Sequence, residues 1–537
     1  MKKTILLQRI VLLLFFFTVT TVLNAQSWQD TAAMIDKVFT RYADQNPGAE
    51  LAISRNGQII YSSARGMADL EHSVPFSKNT KTEAGSVSKQ FTAACILLLE
   101  QQGKLSLTDD IRKYVPEVPN YGNTITIRHL MNHVSGIRDW GSVAELGGWP
   151  RSTRAYTNSD ALHIISLQKS LNNKPGDEYI YSNSGYNLLA IIVQRVSGVS
   201  LAVFSKKYLF EPAGMKHTEW RDDYQRVVLN RAMAYSKKGD TYYTFMPGEN
   251  VYGNGGLLTT AEDLLAWNDF YLSGKLGSPS LLPKQLTTTP FNNGKKHTYA
   301  AGLMVDSLNG WASVTHSGAT AGYRANLDHF PQLGLSIAWL SNTGQPDMSD
   351  IPSAIRNIMV KNLRPVIPAS APQNIPVNNF SSYLGTYREA KTGAGINLFT
   401  EDNSLYLQPH TKLIPTSNNS ATMGRARWVF AKGTALLISG ADTTVYTTTP
   451  PPDLNDLKKY AGIYASNETE SKIDIVLKEG KLFMEQREEK TLLTPVYKDG
   501  FSFPGGDLFF ETDTKGNIRK VFISIPRARK VEFSKLN

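Results

Sequence analysis

Cysteine is almost absent from this chain of 537 residues, which contains Cys95 alone. A single thiol excludes an intrachain disulfide. Cys95 lies in the apolar run Ala94–Leu99, where a buried structural thiol is expected rather than a nucleophile. Hydrophobic residues make up 41% of the chain and charged residues 19%, so sizeable cores can be buried and wholesale disorder is excluded.

Clusters of basic residues and long apolar runs are also scarce. The formal net charge is +10, but no run of five or more basic residues occurs. Scattered basic residues are typical of a solvated surface, so we expect no nucleic-acid partner. Beyond the N-terminal segment, no stretch approaches the roughly 20 apolar residues of a membrane span. We therefore expect no stable span in the mature protein.

The N-terminal segment has the three parts of a secretory signal peptide. A basic start at Lys2 and Lys3 precedes an apolar run over Ile10–Val22, and Ala25 supplies a small residue for cleavage. An uncleaved anchor is the alternative interpretation, and no cysteine follows the run to carry a lipid. Residues 1–25 are predicted to be removed, which makes the mature protein exported, either periplasmic or secreted.

The length predicts more than one domain. Residues 26–362 are predicted to form one α+β domain, with a hairpin near its start (Glu50–Ser54 and Gln58–Tyr61) and another near its end. Because strands lie at both ends, we expect them to share one antiparallel sheet with helices on both sides. The end hairpin is Ala325–Phe330 with Leu335–Leu340, and the predicted helices are Val87–Gln102, Ser159–Leu171, Tyr186–Val196 and Ala261–Leu272.

Two related all-β modules are predicted after this domain. Residues 363–378 are rich in proline and small residues and are predicted to be a linker. Beyond it, Tyr383–Tyr387 recurs 77 residues later as Tyr460–Tyr464. The repeat predicts modules over residues 379–450 and 453–537, each a small barrel or sandwich.

The first candidate catalytic motif is Ser86-Val87-Ser88-Lys89, at the start of a predicted helix. Residues three apart share a helix face, so the Ser86 hydroxyl and the Lys89 amine can meet. A serine hydroxyl needs a neighbouring base, and a desolvated lysine can be neutral. The pattern alone is weak, because Ser166–Lys169 repeats it on a predicted amphipathic helix.

Two further segments select Ser86 over Ser166. Tyr181-Ser182-Asn183 follows a Pro-Gly turn and precedes a buried helix; a tyrosine can relay a proton, and an asparagine can hold a substrate amide. His316-Ser317-Gly318-Ala319 leads into the end hairpin and can line a cleft wall, with glycine permitting close approach of a substrate backbone.

In order and spacing, these three motifs resemble those of the penicillin-binding-protein and class C β-lactamase superfamily over about residues 45–345. The resemblance implies that Ser86 is the acylated nucleophile, Lys89 its base, Tyr181 a proton shuttle and Asn183 a contact for the substrate amide. It also implies an oxyanion hole from the backbone N–H groups of Ser86 and Ala319. No metal and no organic cofactor are implied.

The third motif departs from the family pattern. β-Lactamases and most penicillin-binding proteins carry lysine where this chain has His316; histidine there is similar to D-aminopeptidases and some esterases of the superfamily. A fixed cation is thereby replaced by a group expected to titrate near pH 6.5. A literal Lys391-Thr392-Gly393 occurs in the first β module, where we interpret it as a turn.

Two other histidines raise the question of a metal site. His129 and His133 lie four apart on a predicted helix, but no Glu-x-x-His pattern or third ligand accompanies them. Packing and loop hydrogen bonds are therefore the favoured interpretation.

The residues together predict an exported serine hydrolase that forms an acyl-enzyme at Ser86. D-amino-acid peptides or amides are the first expected substrates and small esters the second. A β-lactamase or a DD-carboxypeptidase acting on cell-wall peptides is the alternative, and a non-catalytic covalent sensor or binding protein is the alternative of another class. The expected partner is a small molecule or short peptide.

Overall fold

A computed structural model describes residues 28–360 and 375–536, except residues 152, 409, 425, 440 and 441. The predicted signal peptide (1–25) and residues 363–374 of the predicted linker lie outside the described residues.

A six-stranded antiparallel sheet forms the centre of the first domain and joins the two ends of that domain. Ala49–Arg55 pairs with Leu335–Ser341, with Ile53 opposite Ile337. The predicted sharing of one sheet by the terminal hairpins is therefore confirmed. In spatial order the strands are Met304–Leu308, Trp311–Thr320, Tyr323–Phe330, Leu335–Ser341, Ala49–Arg55 and Gln58–Arg65.

Both faces of this sheet are buried. Side chains alternate along a strand, so Leu51 and Ile53 face one core while Ala52 faces another. The first core contains Ile35 and Ile355, from helices near the two ends of the domain. The second is the large core of the helices that follow Ser86. The predicted α+β class, with helices on both sides of the sheet, is confirmed.

The helices agree with the predicted ones in place but differ at their ends. The helix after Ser86 begins at Lys89, because Gly85–Ser88 forms a 3₁₀ turn. The helix predicted from Tyr186 begins at Asn183, which places Asn183 in its first turn. The α-helices of the domain are 28–39, Lys89–Gln101, Ile127–Met131, Trp140–Leu146, Asn158–Ser166, Asn183–Ser197, Leu201–Ser205, Glu211–Ala213, Ala261–Leu272, Leu281–Leu286 and Ile351–Met359.

None of the helices in the described ranges meets both the length and the apolarity of a membrane span on its own. Asn183–Ser197 and Leu201–Ala213, bent by 77° at their junction, meet the length and composition criteria only as a pair.

Short strands complete the domain around the helices. Thr82–Glu83, just before the Ser86 turn, pairs with Leu257–Thr259, which also pairs with Glu219–Trp220. The other small sheets are Met67–Asp69 with Val74–Pro75, and Tyr235–Lys238 with Thr241–Thr244.

The two predicted β modules are closed barrels of eight antiparallel strands each. The two barrels share one local contact: the Tyr387 hydroxyl donates to the Tyr383 carbonyl, and the Tyr464 hydroxyl donates to the Tyr460 carbonyl. The first barrel comprises Gly385–Glu389, Gly395–Glu401, Ser404–Leu407, Thr411–Ser417, Ser420–Met423, Ala426–Ala431, Thr434–Ser439 and Asp442–Thr448. The second comprises Gly462–Ser466, Ser471–Lys478, Lys481–Gln486, Glu489–Tyr497, Gly500–Phe503, Gly506–Thr512, Ile518–Ile525 and Ala528–Lys535.

The second barrel docks on the first domain through apolar and ionic contacts. Val143 and Leu146, on the helix Trp140–Leu146, belong to the apolar cluster that contains the interior of this barrel. Beside that helix, the buried guanidinium of Arg138 forms an ion pair of 2.5 Å with the buried carboxylate of Glu468. Burying a charge is costly unless hydrogen bonds replace its hydration, and the Glu468 carboxylate also accepts from the backbone N–H groups of Lys169 and Glu532.

We predict that Glu468→Ala lowers the free energy of unfolding by about 3–5 kcal/mol, because it leaves the Arg138 guanidinium buried without its counter-charge. Chemical unfolding followed by fluorescence measures the change. Glu485→Ala is the matched control, since the Lys478–Glu485 pair lies on the same barrel with both side chains partly exposed; it should cost less than about 1 kcal/mol. Equal costs for the two variants would show that the buried pair does not hold the barrel in place.

Candidate active site

Ser86 lies on the 3₁₀ turn Gly85–Ser88, and the conformation of this turn depends on Gly85. Gly85 has a φ of 49°, in the left-handed region that favours glycine. A Cβ at Gly85 would also lie 2.6 Å from the backbone nitrogen of Ala319. Glycine therefore allows the turn to carry Ser86 directly against the strand Trp311–Thr320.

Lys89 is fully buried beneath Ser86, and its amine makes three hydrogen bonds. Its Nζ lies 3.1 Å from Ser86 Oγ, 3.0 Å from Asn183 Oδ1 and 2.5 Å from the Asn254 carbonyl oxygen. Within the described ranges, no carboxylate forms an ion pair with Lys89. Burial holds the pKa of Lys89 well below its usual range, and nearby Arg151 lowers it further. These conditions favour a neutral amine that can accept a proton.

Asn183 is fixed at the start of its helix by Asp139. The backbone N–H of Asn183 donates to Asp139 Oδ2 at 2.6 Å, while the other carboxylate oxygen of Asp139 accepts from the backbone of Ser142. With its Oδ1 occupied by Lys89, the Asn183 amide retains N–H donors for a substrate carbonyl. The structure therefore places Asn183 against Lys89 and at the cleft wall.

Tyr181 lines the cleft together with Ser86. Burial raises the pKa of Tyr181 above its usual value, and a hydrogen bond with the Ser86 side chain opposes this rise. The Tyr181 ring packs against the imidazole of buried His133, with 4.1 Å between centroids, and lies 4.8 Å from Lys89 Nζ. Tyr181 therefore stays a neutral phenol within reach of both Ser86 and Lys89.

The strand that carries His316-Ser317-Gly318-Ala319 forms the other wall. A Cβ at Gly318 would collide with the Ala84 carbonyl and would lie 3.1 Å from the backbone nitrogen of Ser86. This close approach brings the backbone of Ala319 beside that of Ser86, and both residues line the cleft. Two adjacent backbone N–H groups beside a nucleophile are what an oxyanion hole requires.

His316 is buried and neutral, which corrects the expectation of a group titrating near pH 6.5. Burial is the main cause that lowers the pKa of His316 to about 4. Its Nδ1 lies 2.6 Å from the Ser317 carbonyl, so Nδ1 carries the proton and donates. Its Nε2 then accepts from the Tyr299 hydroxyl at 3.0 Å. The third motif therefore supplies no positive charge at neutral pH.

The predicted site residues meet in one cleft of about 850 Å³. Ser86, Tyr181, Asn183 and the strand His316–Ala319 line it, with Lys89 buried below. The second barrel also reaches it, because Arg527, on the turn between Ile518–Ile525 and Ala528–Lys535, lines the cleft and lies 4.8 Å from the Tyr181 ring centroid.

The alternative motifs lie elsewhere. Ser166 ends the helix Asn158–Ser166 and donates to the His163 carbonyl, and Lys169 pairs with Glu532.

In the turn Lys391–Gly393, Lys391 forms an ion pair with Glu178, which also pairs with Arg529. This turn is not among the described residues that line the cleft. Glu178, just before Tyr179, joins the first domain to both barrels through these two ion pairs.

The two histidines considered for a metal have separate structural contacts. His129 accepts a hydrogen bond from the backbone of Thr126 and caps the helix Ile127–Met131. His133 lies beyond that helix, contrary to the prediction, and accepts from the backbone of Ser182. It therefore packs beneath Tyr181 rather than beside His129.

The family of the chain follows from comparison with known proteins. The beta-lactamase family model matches residues 35–358, which include every residue of the cleft described above except Arg527. The chain belongs to the beta-lactamase family. The resemblance inferred from the three motifs is thus confirmed.

Curated relatives in this family support a serine hydrolase. A D-aminopeptidase of Brucella anthropi is 27% identical over 381 residues, which cover 69% of this chain and 69% of the relative. A D-aminopeptidase of Brucella ovis is 24% identical and covers 92% of this chain and 96% of its own length. Penicillin-binding protein 4* of Bacillus subtilis is 28% identical over 68% of this chain and 85% of its own length.

Solved structures show the same fold at low identity. The octameric penicillin-binding protein homologue from Pyrococcus abyssi has a TM-score of 0.56 and 20% identity, covering 86% of this chain and 99% of its own. The D-amino acid amidase from Ochrobactrum anthropi SV3, complexed with L-phenylalanine, has a TM-score of 0.52 and 20% identity, covering 62% of this chain and 97% of its own.

Several residues of the cleft were not predicted from the sequence. Asn254 contacts Lys89 through its backbone carbonyl, which no side-chain motif reveals. The carboxylate of Asp139 accepts from the backbone N–H of Asn183, and the only sequence signal at Asp139 is that of a helix N-cap. Arg527 is 441 residues distant from Ser86 along the chain, and no local pattern marks it as a neighbour.

We predict that Lys89→Arg lowers the acylation rate about 10²- to 10⁴-fold, because a guanidinium cannot give up its proton to act as a base. Stopped-flow acylation by p-nitrophenyl acetate measures the loss. Lys169→Arg, in the second Ser-x-x-Lys pattern, is the matched control and should retain the wild-type rate. Retention of activity in Lys89→Arg would exclude Lys89 as the base.

We also predict that His316 stays neutral, with its proton on Nδ1, down to a pH near 4. The folded pKa lies below the ordinary histidine value of about 6.5, so acidification through this range opposes the fold rather than stabilising it. Nitrogen-15 NMR of labelled imidazoles at pH 6 tests this, with Gln substitutions at His316 and His72 to assign the signals. Exposed His72 pairs with Asp69, which raises its pKa, so its ring should be charged. A charged His316 at pH 6 would contradict the assignment.

Proposed function

We propose that this chain is an exported hydrolase that cleaves amide bonds of short D-amino-acid peptides through an acyl-enzyme at Ser86. The observation that carries the proposal is the buried Lys89 amine, hydrogen-bonded to Ser86 Oγ at 3.1 Å and not paired with any carboxylate of the described residues. A buried amine without an ion-paired carboxylate is favoured in its neutral form, which can act as a base.

In the acylation step, Ser86 Oγ attacks the substrate carbonyl carbon. Lys89 accepts the hydroxyl proton, directly or through Tyr181, and the backbone N–H groups of Ser86 and Ala319 hold the developing oxyanion. The raised pKa of Tyr181 suits a relay that passes a proton while remaining a neutral phenol. The C–N bond then breaks as the leaving nitrogen receives the proton.

In the deacylation step, water attacks the ester carbonyl of the acyl-enzyme. The same pair, Lys89 and Tyr181, takes the proton of water and returns one to Ser86 Oγ, which restores the free enzyme. Asn183 keeps the acyl group oriented through its amide N–H in both steps.

The choice of D-amino-acid peptides is supported by the names of the relatives, several of which are D-aminopeptidases. Small esters are the second candidate class, because an ester carbonyl fits the same oxyanion site. His316 is neutral and so does not itself supply the cation expected at this position for the carboxylate of a β-lactam.

The proposal is tested with p-nitrophenyl acetate and the dipeptides D-alanyl-D-alanine and L-alanyl-L-alanine. We expect turnover of the D-dipeptide to exceed that of the L-dipeptide, and an acetyl adduct on Ser86 in mass spectra of enzyme quenched during ester turnover. Ser86→Ala should abolish turnover and adduct, while Ser166→Ala should retain both. Absence of turnover together with absence of an adduct would refute the enzyme proposal, and equal rates on both dipeptides would refute the D-preference.

A further inference from the structure

Arginine is the only residue type of fixed charge that lines the cleft among the described residues. Four arginines contribute to the lining, and no aspartate or glutamate of the described residues does. A cleft wall of one charge sign attracts groups of the opposite sign. The lining arginines are Arg151, Arg324, Arg356 and Arg527.

Three of these guanidinium groups are already occupied by protein oxygens. Arg151 and Arg356 form ion pairs with carboxylates that lie behind the cleft surface, and Arg324 donates to backbone carbonyls. The partners are Glu249 for Arg151, Asp328 for Arg356, and Ala321 and Tyr323 for Arg324.

Arg527 differs because its backbone is fixed while, among the described residues, no protein oxygen accepts a hydrogen bond from its guanidinium. Its carbonyl accepts from the backbone N–H of Asp139 and from Asn172 Nδ2, each at 3.0 Å. Its exposed guanidinium lies over the Tyr181 ring, and in the described parts of the chain no carboxylate pairs with it. A fixed backbone and an unpaired guanidinium at a reaction site are what binding of an anion requires.

We propose that Arg527, supplied by the second barrel, is a specificity-determining residue that binds a carboxylate on the leaving group of the substrate. The proposal rests on the proposed acyl-enzyme function. It assigns to the barrel the cation that the neutral His316 does not provide.

The position of Arg527 indicates the leaving-group side of the scissile bond. The leaving nitrogen must lie near the group that gives it a proton, and the proposed relay, Tyr181, lines the same cleft as Ser86. A guanidinium 4.8 Å from the Tyr181 ring centroid therefore lies beside the departing amine. A free α-carboxylate on that amine places two acceptor oxygens within reach of a bidentate partner.

The binding of the carboxylate by Arg527 adds no bond-making or bond-breaking step to the hydrolysis. Ser86 Oγ forms a bond to the acyl carbon, the C–N bond breaks, and the nitrogen gains the proton taken from Ser86. The leaving group is then an amino acid with its carboxylate held by Arg527, and water completes the hydrolysis.

The test compares N-acetyl-D-alanyl-D-alanine with its C-terminal amide, which differ in the carboxylate alone. In the wild-type enzyme we expect kcat/KM to favour the carboxylate. In Arg527→Gln we expect this preference to fall roughly 10- to 100-fold, mainly through KM, and in Arg527→Lys to recover in part. We compare the ratio of kcat/KM for the two substrates because Arg527 also lowers the pKa of Lys89. A change in the pKa of Lys89 alters kcat/KM for both substrates equally and leaves their ratio unchanged.

Arg519→Gln is the matched control, since exposed Arg519 lies on the same barrel and pairs with Asp513 away from the cleft. Its ratio should equal the wild-type ratio. An unchanged ratio in Arg527→Gln, with Ser86→Ala inactive, would overturn the role of Arg527 and leave the proposed function intact. Activity in Ser86→Ala would instead refute the proposed function. An equal fall for both substrates would show that Arg527 acts on structure and not on the carboxylate.

Discussion

The buried amine of Lys89 is the constraint on which the rest of the site depends. Desolvation makes a charged ammonium unfavourable at this position, and the three hydrogen bonds to Ser86, Asn183 and Asn254 determine where the amine lies. Each partner comes from a different part of the chain: the 3₁₀ turn, the start of the helix Asn183–Ser197, and the loop before Leu257. A change in the position of any of these three elements therefore also shifts the Lys89 amine relative to Ser86.

Asp139 links this network to the second barrel. Its carboxylate accepts from the backbone of Asn183, and its own backbone N–H donates to the carbonyl of Arg527. The adjacent Arg138 forms the buried ion pair with Glu468. Two consecutive residues thus orient the amide that contacts Lys89 and hold the barrel turn that reaches the cleft. The barrel is in this sense part of the active-site wall.

Much of the architecture could be predicted from local patterns in the sequence. Alternating apolar residues and turn signals predicted the hairpins that share the central sheet, and the 77-residue repeat predicted two related β modules. The residues Ser86, Lys89, Tyr181, Asn183 and His316 were found because their motifs are compact, and the structure brings them together. The prediction that His316 titrates near pH 6.5 was wrong, because burial lowers its pKa. The burial of a strand residue depends on the elements that pack against the strand and not on the sequence of the strand itself. Arg527 was missed because its approach depends on barrel docking, which joins residues far apart in sequence.

The central claim is that burial lowers the pKa of Lys89, so that its neutral amine, the form that accepts the Ser86 proton, forms well below the ordinary lysine range. The most direct measurement is the rate of Ser86 acylation by p-nitrophenyl acetate as a function of pH, corrected with Ser86→Ala for spontaneous hydrolysis. A depressed pKa predicts that the rate rises with pH and reaches a plateau well below about pH 10.4, the ordinary value for lysine. A rate that continues to rise tenfold per pH unit up to pH 10 would contradict the claim.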